Sequence, residues 1–385
     1  MTRAAEVLDQ RALNRALLAR QMLLARRRIG VGAVLEQLVG LQAQVPTDPY
    51  IGLWSRVAGF APEQLERLIS GRKAVRIAVM RSTIHLVSAA DCLALRPVVQ
   101  SVIDRELLIG SRGRQLAGLD LAAVVRAGRA ILDRAPRTPR QLGALLRERW
   151  PDRDAPALAY VLRCGAPLVQ VPPRGLWTSS SQTTYATAET WLGRPLATDA
   201  APDAMVLRYL AAFGPASARD AEAWSGLRRL GEVLERLRPR LRRFADQRGR
   251  ERFDLPRAPR PSGDQPAPVR FLPSYDNALL GHADRSRIVS DDHRRRIMTA
   301  GGVAAPLLVD GFMGGTWRLS RRKQAAVLRV EALIGLSAAE VREVEGEAGR
   351  LLQLLAPGAR SRDVAVVRRG RRAATGAGGG APSRR

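Results

Sequence analysis

Lysine is almost missing from this chain: Lys73 and Lys323 are the only two in 385 residues, so the positive charge is nearly all arginine. Cysteine is as scarce, since Cys92 and Cys164 stand alone in helix-like apolar surroundings. That excludes a disulfide framework and makes both thiols simplest as core fillers in a reducing compartment. The three histidines, His85, His282 and His293, have no metal-ligand spacing, so no metal centre, iron–sulfur cluster or other cofactor is expected. No apolar run approaches the ~18 residues of a membrane span. The Arg-bearing, helical-looking N-terminus lacks an apolar core followed by a small-residue cleavage site. A cytoplasmic, nucleoid-associated location with no membrane contact is the expectation. Ser-His-Asp wording, a phosphate-cradling glycine loop and the zinc-deaminase motif are missing too.

What is present is ordinary in bulk and unusual in charge. A hydrophobic content of 46% over 385 residues is enough for two or three cores, and the chain is not a disordered one. Its net charge of +27 and pI near 11.6 point to a polyanionic partner, a nucleic acid or an anionic membrane. The Ala/Arg/Gly/Pro-rich composition suggests a GC-rich genome, whose codon bias raises arginine. Codon bias alone does not leave 63 basic residues against 36 acidic ones.

The stretch that organises the chain is 38–56, LVGLQAQVPTDPYIGLWSR, which sets two neutral amides beside a turn signal in an apolar segment. Leu35, Leu38, Val39 and Leu41 fall at helical spacing, predicting a helix that ends near Gln42. Pro46 and Pro49 prevent its continuation. Gln42 and Gln44 share a face only if the backbone there is extended. On the residues alone, such a pair most simply caps backbone groups at a helix end.

Taken in order, 10–42 read as two amphipathic helices whose Arg15, Arg20, Arg26, Arg27 and Arg28 point away from the apolar face. Short helices follow at 50–57 and 62–70. The run 76–88, RIAVMRSTIHLVS, is strand-like on both sides of Arg81-Ser82. A second block has helices at 121–134, from Thr138, and at 155–164, then LVQVPPRGLWTSS (168–180), read as strand, turn and strand. A third has helices at 204–213, from an N-capping Ser217, and at 227–237, then a hairpin over 241–255. Internal repetition of a helix–helix–helix–hairpin unit and coincidence of ordinary turn chemistry remain equal readings of these blocks. The fold class expected is α+β: about three tandem winged-helix units (1–118, 119–200, 201–256), a Pro-rich linker or surface strap (257–268), and a small β-rich C-terminal domain (269–360). The tail, 361–385, is expected to be disordered and basic.

Six segments in order carry a resemblance: LNRALLARQ (13–21), GLQAQVPTDPYIGLWSR (40–56), MRSTIHLVSAADCLALRP (80–97), TTYATAETWLG (183–193), LPSYDNALLGH (272–282) and VDGFMGGTW (309–317). Together they resemble the bacterial winged-helix DNA glycosylases that unhook interstrand crosslinks, over about residues 10 to 357. In that family a Gln-x-Gln or Gln-x-Asp motif is catalytic, and this chain has the first form as Gln42-Ala43-Gln44. It is thereby similar to the branch associated with self-resistance to DNA-alkylating antibiotics. The resemblance implies double-stranded DNA carrying alkylated guanine as the partner, and a monomer as the active form.

The implied reaction is hydrolysis of the N-glycosidic bond of an N7-alkylguanine. Alkylation makes the base cationic, so it departs neutral and needs little help from an acid. Two amide carbonyls can then hold a water and face the charge developing on the sugar. No lysine stands beside Gln42 and Gln44, which argues against a Schiff-base lyase step. DNA contacts are expected from Arg81 and His85, within the family-like RSTIHLV segment, and from Arg228, Arg229, Arg236, Arg242 and Arg243 in the densest basic run. A lone strand histidine is more often structural. Asp276 and Asn277, after Tyr275, read as turn chemistry. The rival readings are a non-catalytic winged-helix regulator and a protein that shields the adduct.

Overall fold

A computed structural model describes residues 6–109, 113–299 and 302–368. The described residues begin with strand β1 (Glu6–Leu8), after which Asp9 accepts the Ala12 N–H at 2.7 Å and starts α1 (Gln10–Arg20). Arg15 and Arg20 do not point away from the core as their spacing suggests; both are buried. Helix α1 is covered on its polar side as well, so each guanidinium needs a carboxylate to offset its desolvation. Arg20 meets Asp254 through two bonds of 2.7 and 2.8 Å, and Arg15 meets Asp310.

Helix α2 (Val31–Gln37) stops earlier than the apolar spacing predicts. Val39 and Gly40 take left-handed φ values of 57° and 87°. A Cβ on Gly40 would lie 2.6 Å from Val87 and 2.9 Å from the Leu86 carbonyl, so only glycine lets the chain pass there. The backbone then extends into β2 (Leu41–Gln42), and Gln42 therefore lies on a strand and not at a helix end. Helices α3 (Asp48–Trp54) and α4 (Pro62–Ser70) lead to the hairpin of β3 (Ala74–Ala78) and β4 (Ile84–Ser88), which turns at Arg81-Ser82 as its Ile, Val and Thr content suggests.

Helices α5 (Ala89–Val98) and α6 (Gln100–Ile109) are followed by α7 (Leu121–Arg134), α8 (Pro139–Arg149) and α9 (Ala155–Gly165), where the caps and spacing put them. The expected hairpin within 168–180 is replaced by a longer excursion. Strand β5 (Leu168–Gln170) pairs with β6 (Tyr185–Thr187), and on its other edge with β3. Pro172 and Pro173 carry no N–H for a ladder, which ends β5 at Gln170. The resulting sheet, β2-β4-β3-β5-β6, joins the first block to the second.

After α10 (Ala188–Leu192) come α11 (Asp203–Phe213), α12 (Ala218–Ser225) with its Ser217–Asp220 capping box, and α13 (Leu230–Leu237). Strands β7 (Arg242–Asp246) and β8 (Glu251–Asp254) make the third hairpin, to which β1 adds in parallel. Residues 257–268 form a strap over α1: the Pro259 and Gln265 carbonyls accept from Arg20 and Arg15 at 3.1 and 2.6 Å.

The C-terminal part contains β9 (Arg270–Phe271), α14 (Asn277–Leu280), α15 (Asp291–Ile297) and the short pair β10 (Met298–Thr299) and β11 (Gly302–Val303). Its main sheet, β15-β14-β13-β12-β9, is completed by β12 (Ala305–Val309), β13 (Phe312–Arg322) and β14 (Ala325–Ala332) and covered by α16 (Ala338–Leu355). Strand β15 (Ser361–Arg368) corrects the reading of a tail starting at 361: it runs parallel to β14, with Val364 and Val366 packed on the core under α16. The tail from 369 to 385 lies outside the described residues. One apolar cluster reaches from Leu17 through Val87, Leu158 and Phe213 to Met313, so the blocks share a core.

Candidate active site

Strand β2 sits at the edge of its sheet, and its pairing with β4 sets Gln42 directly opposite His85. Past Gln42 the chain runs on as irregular coil, carrying Gln44 to the surface while Gln42 stays 7% exposed. The turn between β3 and β4 brings in Arg81, whose Nη2 donates to Gln42 Oε1 at 2.7 Å. Its other nitrogen donates to the Trp224 carbonyl at the end of α12. Gln44 Oε1 accepts the Ile84 N–H at 3.3 Å. Four of the nine residues expected at the site, Gln42, Gln44, Arg81 and His85, thus meet at one place.

The turn itself is held in an unfavourable conformation. Arg81 and Ser82 have φ of 54° and 58°, consecutive left-handed residues with side chains, each costing roughly 1–2 kcal/mol. Burial, then the charge of Arg285, lowers the Arg81 pKa to about 10, which leaves it charged at neutral pH.

His85, expected as a DNA contact, is 1% exposed in the free protein. β4 lies between β2 and β3, so its backbone is paired on both edges. Its Nδ1 lies 3.0 Å from the Thr83 carbonyl. Burial, and after it the charge of Arg81, pushes its pKa down to about 3 against the Thr83 bond, so the ring is neutral.

Residues that the sequence reading set aside hold this place together. Asn277 Nδ2 donates to the Gly40 carbonyl at 2.7 Å, and its Oδ1 accepts the Gln42 N–H at 3.3 Å. Asp276 does cap its turn, through the Ala278 N–H at 2.9 Å. It also binds both ends of the buried Arg56 guanidinium, at 2.9 and 2.7 Å. Arg76 donates to the carbonyl of Ala43, between the glutamines, at 2.7 Å. Only the recurrence of SYDN inside a family-like segment pointed at 276 and 277; nothing in the pattern pointed at Arg76.

The five remaining arginines are all exposed but differ in company. Arg229 pairs with Glu232 at 2.7 Å, Arg236 with Asp203 at 2.6 Å, Arg242 with Glu6 at 2.6 Å and Arg243 with Glu251 at 3.4 Å. Arg228 has no carboxylate partner among the described residues. It follows Gly226, whose missing side chain leaves room for the Arg81 backbone at 3.2 Å. The end of α12 is therefore docked on the Arg81 turn, while Arg236 and Arg243 are tied to acids of the third block and Arg242 to Glu6 on β1.

A cleft of about 880 Å³ opens beside Gln44, between the β3–β4 turn and helices α8 and α9. Arg81, Thr83, Arg140, Tyr160, Arg163 and Tyr185 are among its walls. Among the described residues there is no cluster of His, Cys, Asp or Glu suited to a metal ion. Both thiols are buried, and burial raises that of Cys92 to about 12, which suits core packing.

A family model described as DNA glycosylase AlkZ-like matches residues 35–354. The interstrand DNA cross-link repair glycosylase of Streptomyces sahachiroi is 24% identical over 330 residues, covering 78% of this chain and 85% of that protein. The structure of Streptomyces sahachiroi DNA glycosylase AlkZ superposes with a TM-score of 0.76 at 20% identity, over 94% of this chain and 100% of the other.

Proposed function

Because the chain belongs to the AlkZ-like DNA glycosylase family, and is thus an enzyme that cleaves bases from DNA, we propose that it removes bulky N7-alkylguanine and unhooks crosslinks, the latter being the activity for which the Streptomyces relative is named. The observation that carries this reading is a cleft lined by Gln44 and Arg81, with the buried Gln42 directly behind it on the Arg81 guanidinium. We assign Gln42 and Gln44 as the catalytic pair. Each carbonyl keeps one lone pair beyond the bond it already accepts, enough to orient a water or face a cationic sugar. A neutral amide is a poor base, so the pair serves substrates whose base already leaves as a neutral molecule.

Arg81 is the natural phosphate contact. Its guanidinium is held at Gln42 in the free protein, and a DNA phosphate offers a charged acceptor in exchange for a neutral one. Departure of the cation would also unburden the amide that must face positive charge. Helices α7 to α9 with β5 and β6, and α11 to α13 with β7 and β8, support a tandem winged-helix reading in which three units in one chain cover DNA as a monomer. Family membership sets aside the non-catalytic regulator and the shielding protein.

The test is base release from a duplex with a single N7-alkylguanine under single-turnover conditions. Gln42→Ala and Gln44→Ala are each expected to lose about 10²-fold or more in rate while binding the duplex as the wild type does. Release by both variants at the wild-type rate would remove the glutamines from the mechanism.

A further inference from the structure

Two buried polar atoms beside Gln42 have no hydrogen-bond partner among the described residues: Nε2 of His85 and Oγ of Ser82. Leaving a buried polar group unpaired costs about 1–3 kcal/mol. Two such atoms at one site point to a group that is missing from the free protein. The state of the imidazole follows from its other nitrogen. A carbonyl can only accept, so Nδ1, 3.0 Å from the Thr83 carbonyl, carries the hydrogen and Nε2 keeps its lone pair. Residues directly opposite on paired antiparallel strands project their side chains from the same face, so this lone pair belongs to the face that carries the Gln42 amide.

We propose that His85 is a third catalytic residue, whose Nε2 accepts a proton from the hydrolytic water oriented by Gln42 and Gln44. This rests on the glycosylase reading above and deepens it. The water oxygen bonds to the anomeric carbon as the C1′–N9 bond breaks, and the electron pair of that bond leaves with the base. The base, cationic before, departs neutral. One water proton moves to Nε2, so the positive charge passes from the base to the imidazole and from there to solvent. Amide carbonyls orient a water but do not take its proton, which is the step the glutamine pair leaves open.

Arg81 is the gate in this scheme. After burial, its charge is the second cause that shifts His85 downward, and Arg285 faces Arg81 in turn. While it donates to Gln42, it weakens the imidazole as a base further than burial does alone. Moving to a DNA phosphate, it lifts that part of the shift only when substrate is present. Ser82, in the same strained turn, offers the water a second polar contact.

The discriminating variants are His85→Asn and His85→Gln, measured by single-turnover base release from the duplex with one N7-alkylguanine, alongside thermal melting and DNA affinity. Asparagine places an amide nitrogen near the Nδ1 position and keeps the donor to Thr83, but has nothing at Nε2. Glutamine places an acceptor near Nε2 and gives up the Thr83 bond. Neither amide takes a proton, so both variants are expected to lose about 10²-fold or more with DNA affinity retained. A rate for either folded variant within roughly threefold of wild type would overturn the assignment and leave His85 a packing residue. Should both variants unfold, the pH profile of Arg81→Gln at saturating enzyme decides. Removing the neighbouring charge should move the acid limb of the rate to higher pH, and a limb that stays in place overturns the proposal. A wild type that releases no base overturns the glycosylase reading itself, whereas an active wild type with an active His85→Asn overturns the role of His85 alone.

Discussion

Asp48 presents a residue-scale problem that its neighbours do not solve. It is 5% exposed, its Oδ2 has no partner among the described residues, and burial and then the charge of Asp276 push its pKa up to about 7 against the Tyr275 backbone and Arg76. A carboxyl whose folded pKa exceeds its unfolded value of about 4 contributes fully only below that value. Stability is lost as pH rises from there to about 7, at about 1.4 kcal/mol per unit. Asp48→Asn should therefore be more stable than the wild type by a few kcal/mol at pH 8, on the order of 3, with a gap that closes toward pH 4. Denaturant midpoints at the two pH values measure it, and a gap that does not change with pH would mean Asp48 titrates as an ordinary surface acid. Nothing in the wording TDPY marked Asp48. Its neighbours, Asp276 and Arg76, come from distant parts of the chain, and burial is a property of the fold.

At the scale of elements, the strand that carries Gln42 is held from outside its own block. Strand β2 has only two residues, and its position depends on Asn277, which takes both the Gly40 carbonyl and the Gln42 N–H. Asn277→Leu would strand both backbone groups, each worth roughly 1–3 kcal/mol. The expected result is a drop in single-turnover rate of at least about tenfold with DNA affinity unchanged, since a misplacement of about 1 Å is enough. Equal losses in rate and affinity would argue that the variant damages the whole fold. The hairpin of β3 and β4 and helices α7 to α9 and α12 were legible, because Val/Ile/Thr alternation and the caps Thr138 and Ser217 are local signals. The partner of β5 was not, since a short apolar strand pairs with whichever edge the tertiary fold presents.

For the whole molecule, the excess of arginine divides between the interior and the surface. Arg15, Arg20, Arg56, Arg76, Arg96, Arg252, Arg270 and Arg287 are buried and make hydrogen bonds inside the protein, so they do not serve DNA. Of the five arginines expected on DNA from the third block, four already hold carboxylates and Arg228 does not. A contact made by an unpaired arginine displaces counterions without breaking an ion pair. Arg228→Gln should therefore lower the slope of log affinity against log salt by about 1, and Arg236→Gln by less. Fluorescence anisotropy between 50 and 200 mM salt reads both, over a range in which ~6–10 phosphate contacts cost about 10³–10⁵ in affinity. Equal slopes for the two variants would assign the charge on this face to solubility and not to contact.

The amino-acid sequence alone determined the polyanionic partner, the family, most helix starts and the residues worth examining around Gln42 and Gln44. Each of those is carried by composition or by signals a few residues long. Tertiary structure alone decided that Gln42 stands on a strand and Gln44 on the coil after it, that Arg81 occupies Gln42, that His85 is enclosed, and that Asn277 and Asp276 brace the site from distant parts of the chain. Desolvation, ion pairing and strand partnership depend on what surrounds a side chain in space, and no spacing along the chain encodes that directly.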